Sequence, residues 1–439
     1  MTKNMMRRRT ALTLSLGLLA ASCSKPKPAI IGTQVPVLPD TGGLNVSAEA
    51  PPVSLPPAAA LADWPQLLGN AAHSPGNAAG PLDLGKHWMA LVGQGGGFRQ
   101  PLLASPILAN GQVFTMDANA VVSAFSTADG SRVWRTVTRP KGVSEPNIGG
   151  GIGYDQGRIY ASTGYGELLA LDAGTGKVIW RQGLDFPTRT APMIAGGLVA
   201  LIVQNDLLLT FDAASGAPGW RFTGQVLQDS GATAAISGAP AFADGILVAG
   251  FASGLLAALD ANSGTPLWEQ SLAAASGQTS SLDFSDIVAA PVIAGGVVYA
   301  LGLGNTAMAV DLHSGAKVWT HSASGAQPFC LSGGFAFLLD NTQTLTAIHA
   351  DDGLVSWSLQ MPAFGNMKKK TEPVLWAGPV LVNGTLVLTS SHGEIAMVDA
   401  VAGALKSTAK LAGPADLAPI AAGGLLLQLT RDGKLTAYS

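Results

Sequence analysis

Short apolar runs recur along most of the chain, and each ends in a small, an apolar and a polar residue. A glycine follows four residues after the polar one, and a tryptophan four residues after that, as in Ala170-Leu171-Asp172 with Gly176 and Trp180. Six copies carry the tryptophan: Trp134, Trp180, Trp220, Trp268, Trp319 and Trp357. Successive tryptophans are 46, 40, 48, 51 and 38 residues apart, which matches a unit of four short strands and excludes helical repeats of constant length.

A second marker lies upstream in most units, where a proline is followed at the fifth position by glycine, as in Pro240 and Gly245. Pairs such as Asp244-Gly245 and Asn383-Gly384 tolerate positive φ and favour two-residue hairpin turns. The aspartate, glycine and tryptophan element also predicts a turn between strands, with the tryptophan packed between neighbouring sheets. Each unit is therefore predicted to be a four-stranded antiparallel blade.

The two ends of the repeat region complement each other. The seventh copy has Ser407 at the tryptophan position, and the eighth stops at Ser439 without its last strand. The segment from Leu84 to Trp88 has the form of an isolated turn and tryptophan strand. We therefore predict an all-β fold, an eight-bladed β-propeller over residues 61–439, whose ring is closed by this N-terminal strand.

Residues 1–22 have the three-part plan of a secretory signal peptide, with basic residues first, then an apolar stretch and small residues. The segment Leu19-Ala20-Ala21-Ser22-Cys23 resembles a bacterial lipobox, which implies a lipidated (palmitate-bearing) Cys23; the alternative is plain secretion. Residues 23–60 are rich in proline and alanine, and we expect a disordered linker between the lipidated cysteine and the propeller.

Composition narrows the possible functions. Only 12% of the 439 residues are charged and the net charge is −3, so nucleic acid is not an expected partner. Beyond the signal segment no apolar run is long enough to span a bilayer. With Cys23 lipidated, Cys330 has no cysteine in the chain with which to form a disulfide. The six histidines show no metal-ligand spacing, so no metal site is expected.

The stretch from Ala170 to Trp180 closely resembles the repeat of quinoprotein (PQQ) dehydrogenase propellers. The lipobox, the linker, the Trp64-Pro65-Gln66 opening and the C-terminal strand more specifically resemble the B-component lipoprotein family of the outer-membrane β-barrel assembly machinery. The resemblance implies a non-catalytic scaffold without a cofactor, anchored on the periplasmic face of the outer membrane. Its implied partners are the periplasmic POTRA-type domains of the barrel-inserting protein, other assembly lipoproteins, and unfolded outer-membrane proteins.

Two segments match loops on which the partner docks in that family. Residues 225–231 supply Val226, Leu227, Gln228 and Asp229, with Asp229 where the family has a basic residue. Residues 281–287 supply Asp283, Phe284 and Asp286. Apolar side chains in glycine- and serine-rich loops are plausible interface anchors with a polar rim, although capping of the core beneath is the alternative role.

Two other functions share this fold. A quinone-dependent dehydrogenase resembling the PQQ enzymes would call for a vicinal cysteine pair and a calcium-binding acidic cluster, whereas Cys330 stands alone and the aspartates fall at turn positions. A periplasmic lipoprotein that binds a small ligand or glycan in its central funnel is the other alternative. Lys368-Lys369-Lys370 lies between blades six and seven, where it is either a solvated loop or a docking site for an acidic partner or lipid headgroups.

Overall fold

Four-stranded antiparallel sheets follow one another along the chain because each unit alternates buried strands with tight, glycine-containing turns. The structure is a computed structural model that describes residues 44–224, 237–272 and 286–439. These residues form eight four-stranded sheets and one two-stranded hairpin. Within the described ranges there is a single short 3-10 helix, Leu67–Gly69, and no helix long and apolar enough to cross a membrane. The predicted all-β, eight-bladed propeller is confirmed.

Blade 1 consists of β2 (Ile107–Ala109), β3 (Gln112–Met116), β4 (Val121–Ser126) and β5 (Arg132–Val137), and blade 2 of β6 (Gly150–Asp155), β7 (Arg158–Thr163), β8 (Glu167–Asp172) and β9 (Val178–Gly183). Blade 3 consists of β10 (Met193–Ala195), β11 (Leu198–Val203), β12 (Leu207–Asp212) and β13 (Pro218–Thr223), and blade 4 of β14 (Ala241–Ala243), β15 (Ile246–Gly250), β16 (Leu255–Asp260) and β17 (Pro266–Ser271).

Blade 5 consists of β18 (Val292–Ala294), β19 (Val297–Leu301), β20 (Ala307–Asp311) and β21 (Lys317–His321), and blade 6 of β22 (Cys330–Ser332), β23 (Phe335–Leu339), β24 (Thr344–His349) and β25 (Val355–Gln360). Blade 7 consists of β28 (Trp376–Val382), β29 (Thr385–Ser390), β30 (Glu394–Asp399) and β31 (Ala404–Lys410), and blade 8 of β32 (Ile420–Ala422), β33 (Leu425–Leu429), β34 (Lys434–Tyr438) and β1 (Lys86–Leu91). The hairpin of β26 (Phe364–Asn366) and β27 (Thr371–Pro373) lies between blades 6 and 7.

Blade 8 is completed by the N-terminal strand, as predicted. Strand β1 pairs antiparallel with β34, with Trp88 opposite Ala437 and Met89 opposite Thr436. The backbone N–H of Ser439 also donates to the carbonyl of Gly85. Because the first and last parts of the chain share one sheet, the ring closes without leaving a sheet edge between its two ends.

The hydrophobic core lies between neighbouring blades. In blades 1 to 7 the first strand is at least partly buried and contacts the first strand of a neighbouring blade, whereas the last strand is largely exposed at the perimeter. The second and third strands supply most of the fully buried side chains, such as Phe114 and Phe337. Each packed cluster draws residues from adjacent sheets, so every blade depends on its neighbours for burial.

The repeat tryptophans join one blade to the next. The indole N–H of each predicted tryptophan donates to a backbone carbonyl in the turn between the third and fourth strands of the following blade, at 2.7 to 3.2 Å. The pairs are Trp134 with Ala173, Trp180 with Ala213, Trp220 with Ala261, Trp268 with Leu312, Trp319 with Ala350 and Trp357 with Ala400. Trp88 makes the same bond to Thr127, which extends the pattern to seven junctions.

The turn glycine of the motif lies against that indole. A Cβ added at Gly264 would fall closer than 3.0 Å to the ring of Trp220, and the corresponding glycines of the other blades are equally close to their tryptophans. Gly264 also has a φ of +73°, which a side chain disfavours. The aspartate four residues earlier holds the turn, since its Oδ1 accepts from the backbone N and hydroxyl of Ser263, both at 2.8 Å. These contacts account for the spacing of aspartate, glycine and tryptophan.

An ordered N-terminal strap, residues 44–82, crosses the base of the propeller. The predicted linker extends to residue 60, yet residues 44–60 pack on the propeller: Ser47 N donates to Val355 O at 2.9 Å, and Val53 is buried. Proline removes backbone donors here but leaves carbonyls that accept bonds, such as that of Pro51 from the Ser356 hydroxyl. The ordered chain therefore begins before the sequence-based boundary.

The strap pairs with the inner strands of seven blades. Its residues bond, in order, to Gly423, Leu108, Tyr154, Ile194, Phe242, Ile293 and Leu381, which follow or lie in the first strands of blades 8, 1, 2, 3, 4, 5 and 7. The Gln66 side chain acts as a strand residue, since it accepts from Ile194 N at 2.9 Å and donates to Ile194 O at 2.7 Å. The strap thus satisfies inner-edge groups that would otherwise face the central channel.

Candidate partner-binding face

The connections from one blade to the next lie on one face of the propeller, opposite the strap; we call this the loop face. It also carries the turns between the second and third strands of each blade. Both segments predicted to dock a partner are such blade-to-blade connections: residues 225–231 lead from blade 3 to blade 4, and residues 281–287 lead from blade 4 to blade 5. All of residues 225–231, and residues 281–285 of the second segment, lie outside the described residues.

The structure brings the ends of these two connections together. The backbone N–H of Gly238 donates to the carbonyl of Ile287 at 3.1 Å, and Ile287 N donates to Phe251 O, also at 3.1 Å. A Cβ at Gly238 would lie 2.6 Å from the Cα of Ala290, so glycine permits this close approach. The C-terminal ends of the two connections therefore adjoin on the loop face.

Asp286 lies beneath that face. Its side chain is 1% exposed, and its carbonyl accepts from Leu303 N at 2.9 Å. The structure therefore buries Asp286, and its carboxylate is not exposed for contact with a partner. The other predicted contact residues, Val226, Leu227, Gln228, Asp229, Asp283 and Phe284, and the predicted lipidation site Cys23, lie outside the described residues.

A central cavity of about 240 Å³ opens beside the ends of these loops. Its wall includes Ile152 of blade 2 and the loop ends at Ser237 and Val288, and Leu67 of the strap contributes to it. Among the described residues that line it, Arg189 is the one charged side chain and there is no aromatic ring. This lining lacks the ring of aromatic or acidic side chains that a glycan-binding funnel would use.

The repeat aspartates in the described part of the chain serve a structural role in their turns. The hydroxyl and backbone N–H of Thr175 hold the pKa of Asp172 below its usual value, and the same arrangement lowers the pKa of Asp212, Asp260 and Asp311. Burial raises the pKa of the Cys330 thiol to about 12. No group of three or more His, Cys, Asp or Glu residues within the described ranges could hold a metal ion.

Two features of the structure were missed from the sequence. The strap has no apolar periodicity because it binds through backbone groups and single side chains, and Trp64-Pro65-Gln66 was its one visible signal. The loop from blade 8 to blade 1 presents Phe98 fully exposed on the loop face. The run Gly95-Gly96-Gly97 marks this loop, but a glycine run does not specify which side chain it displays.

Seven blades made of consecutive strands, and an eighth completed by the N-terminal strand β1, define the class of protein. It is a PQQ-like repeat β-propeller with its blade-to-blade connections on one face. The family model described as outer membrane protein assembly factor BamB matches residues 118–359, and the chain belongs to this family. Among curated relatives, BamB of Escherichia coli (strain K12) is 28% identical over 377 residues, which cover 80% of this chain and 87% of that protein. BamB of Yersinia pestis is 26% identical over 360 residues, covering 81% and 88%.

Solved structures agree on the fold. BamB from Moraxella catarrhalis superposes with a TM-score of 0.61 at 18% identity and covers 80% of this chain and 97% of that one. Quinohemoprotein alcohol dehydrogenase from Comamonas testosteroni gives a TM-score of 0.66 at 14% identity, with coverage of 87% and 81%. At such identities both likenesses concern the fold alone, so the propeller does not separate an assembly factor from a dehydrogenase.

Proposed function

We propose that this protein is a non-catalytic scaffold of the outer-membrane protein assembly machinery, tethered through Cys23 to the periplasmic face of the outer membrane. Membership of the BamB family supports assembly as the process. The observation that supports the binding role is the Gly238–Ile287 hydrogen bond, because it joins the C-terminal ends of the two connections that contain the predicted docking segments. One partner can then contact both loops at once.

The proposed partner is the periplasmic, POTRA-type region of the barrel-inserting protein, with other assembly lipoproteins and unfolded outer-membrane proteins as further partners. Val226, Leu227 and Phe284 are the proposed apolar anchors, with Gln228, Asp229 and Asp283 as their polar surround. Asp286 is a positioning residue in this proposal, since it is buried at the end of the second loop.

A dehydrogenase function is disfavoured by the chemistry of the side chains that are present. The two cysteines of the chain, Cys23 and Cys330, are far from adjacent, so they cannot form the vicinal pair expected to stack on a quinone. The aspartates at the repeat positions already accept hydrogen bonds from their own turns, as Asp260 does from Ser263. The residues present do not fit a quinone and calcium site.

The docking loops can be tested with a double variant, Leu227→Asp with Phe284→Asp, and the purified periplasmic region of the barrel-inserting protein of the same organism. Loss of the two proposed apolar anchors is expected to weaken binding at least about 30-fold, as for hot-spot residues of other interfaces. The matched control is Leu267→Asp with Val318→Asp, which places the same charges on exposed perimeter strands of blades 4 and 5.

The control variant is expected to bind as the wild type does. If the loop variant keeps wild-type affinity while its circular dichroism and thermal unfolding are unchanged, the assignment of these loops is wrong. If the wild-type chain does not bind the periplasmic region at all, the scaffold role itself is contradicted.

A further inference from the structure

A run of three lysines protrudes from the loop face on the hairpin between blades 6 and 7. Lys368, Lys369 and Lys370 join β26 to β27 and are all exposed, next to Met367, which is 57% exposed. None of the ion pairs among the described residues involves these lysines. Because three like charges that are not ion-paired repel one another, binding of an anionic ligand is favoured at this hairpin.

The loop from blade 8 to blade 1, two blade-to-blade connections further round the ring, holds Phe98 and Arg99 out from the same face. Gly97 N donates to Gln100 O at 2.9 Å, which closes the tip of the loop. Gly96 N donates to Arg431 O at 2.6 Å, and Gln100 Nε2 donates to Ala118 O at 2.7 Å. The base of the loop is therefore held by hydrogen bonds, and these bonds keep Phe98 fully exposed at its tip.

These two loops belong to one continuous arc. The hairpin residue Gly365 lies against His392 of blade 7, and Gly393 lies against Gly413 in the connection to blade 8. That connection reaches Arg431, whose backbone N donates to Pro414 O at 2.7 Å. Because Arg431 in turn bonds Gly96, contacts run from the lysine hairpin to the Phe98 loop. We call residues 98–99 and 364–375 the cationic arc.

Three acidic groups beside the arc are paired with basic side chains. Asp416 forms an ion pair with Arg431 at 2.5 Å, Asp432 with Lys434 at 2.6 Å, and Glu394 with Lys410 at 2.8 Å. Within the arc itself Arg99 and the three lysines face a single carboxylate, Glu372. The arc is therefore locally cationic on a chain whose net charge is −3.

We propose that the cationic arc binds the surface of an anionic phospholipid bilayer. Its apolar side chains, Phe98, Met367 and Leu375, stand out singly beside cations, and such tips enter the headgroup and acyl boundary while lysine and arginine meet the phosphates. A protein partner is less well matched, because lysine is depleted in protein–protein interfaces and convex single tips need pockets on the partner. The arc supplies a second membrane contact, independent of the predicted lipid and of the docking loops.

The test uses the full exported chain carrying Cys23→Ser, so that no lipid anchors it, in flotation with vesicles. Vesicles of phosphatidylglycerol with phosphatidylethanolamine are compared with vesicles of phosphatidylcholine. Wild-type arc is expected to bind the anionic vesicles alone, and less as salt is raised. Lys368→Glu, Lys369→Glu and Lys370→Glu together are expected to lower the partition coefficient by about 100-fold, from the contribution of each lysine near an anionic surface.

The matched control reverses three exposed lysines away from the loop face: Lys86→Glu, Lys177→Glu and Lys317→Glu, with the same change in net charge. The control is expected to retain vesicle binding. Equal loss in both triple variants would show non-specific attraction and overturn the proposal. Absence of wild-type binding to anionic vesicles would overturn it too, and would point to an acidic protein as the ligand of the lysines.

A probe at the tip distinguishes insertion from charge attraction. Met367→Cys in the Cys23→Ser chain can be labelled with an environment-sensitive fluorophore, because Cys330 is only partly exposed and burial raises the pKa of its thiol to about 12. A blue shift on addition of anionic vesicles is expected at position 367, and none for the same label at Val178→Cys on the perimeter of blade 2. An unchanged spectrum at position 367 would contradict insertion of the arc.

Discussion

At the scale of single residues, the tryptophan that ends each motif bonds to the next blade rather than to its own. The indole of Trp268 is 8% exposed, and its N–H reaches Leu312 O at 2.7 Å. Ser407 replaces the tryptophan at the one junction where the following blade has no covalent turn, since blade 8 is made from both ends of the chain. Without a turn glycine and carbonyl to receive it, a tryptophan there has no partner.

Removal of one such tryptophan should cost more than removal of its hydrogen bond alone. Trp268→Phe is expected to lower the free energy of unfolding by about 1 to 2 kcal/mol, because it leaves the Leu312 carbonyl without its donor. Trp268→Ala should cost about 3 to 5 kcal/mol through the cavity it creates. Urea unfolding followed by circular dichroism measures both.

The reverse substitution provides the matching control. Ser407→Trp is expected to change the free energy of unfolding by no more than about 0.5 kcal/mol, as for other exposed surface changes. A gain comparable to the loss in Trp268→Ala would mean that the indole stabilises its own blade, and the account of inter-blade bonding would be wrong.

His73 makes stability depend on pH. Burial lowers its pKa from the ordinary 6.5 to about 4, partly offset by the contact of Nδ1 with Pro291 O at 2.8 Å. Between these values the unfolded chain binds a proton that the folded chain does not. Stability from the neutral ring is therefore complete above pH 6.5 and is lost as the pH falls toward 4, by up to about 1.4 kcal/mol per pH unit.

A His73→Gln variant should flatten the unfolding free energy between pH 6.5 and 4, since its amide can donate to Pro291 O but does not titrate. Chemical unfolding at a series of pH values measures the slope. If the variant keeps the wild-type slope over this interval, another group is responsible and the assignment to His73 fails.

At the scale of elements, the strap and β1 together hold the ring closed. The strap bonds the inner strands of seven blades. At blade 3 it does so through a side chain, because the amide of Gln66 bonds both backbone groups of Ile194. Gln66→Ala leaves both Ile194 backbone groups unpaired and is expected to cost about 2 to 3 kcal/mol. Gln66→Glu should cost at least as much, because it also buries a carboxylate.

Native-state hydrogen exchange can localise this effect. Gln66→Ala is expected to speed exchange at Ile194 and at strap amides bonded to inner strands, such as that of Ala78. Exchange in the perimeter strands of blades 5 and 6 should be unchanged. Uniform acceleration throughout the molecule would instead indicate that the strap is not a separate cooperative element.

At the scale of the whole molecule, the repeat predicted the number of blades, their strand order and the closure by the N-terminal strand. It could do so because the Asp172, Gly176 and Trp180 spacing encodes a local turn and one contact with the adjacent blade. The strap from residue 44 escaped prediction, because pairing with inner strands far along the chain leaves no local periodicity. The docking loops rested on resemblance, and sequence spacing could not reveal that Asp286 is buried.

The same distinction separates the two faces of the propeller. The base is closed by backbone pairing with the strap, whereas the loop face carries both the joined ends at Gly238 and Ile287 and the cationic arc around Phe98. The proposed docking loops join blades 3, 4 and 5, while the arc runs from the connection between blades 6 and 7 to the connection between blades 8 and 1. A partner and a membrane can therefore be engaged by different sectors of one face.

The most direct test of the central claim is affinity purification of the tagged full-length protein from gently solubilised membranes, with mass spectrometry of what is recovered and Cys23→Ala as the control. The proposed scaffold role predicts stoichiometric recovery of the barrel-inserting protein, and a smaller membrane-bound fraction of the Cys23→Ala chain than of the wild type. Recovery of the propeller alone, under conditions in which the barrel-inserting protein keeps its other partners, would contradict it.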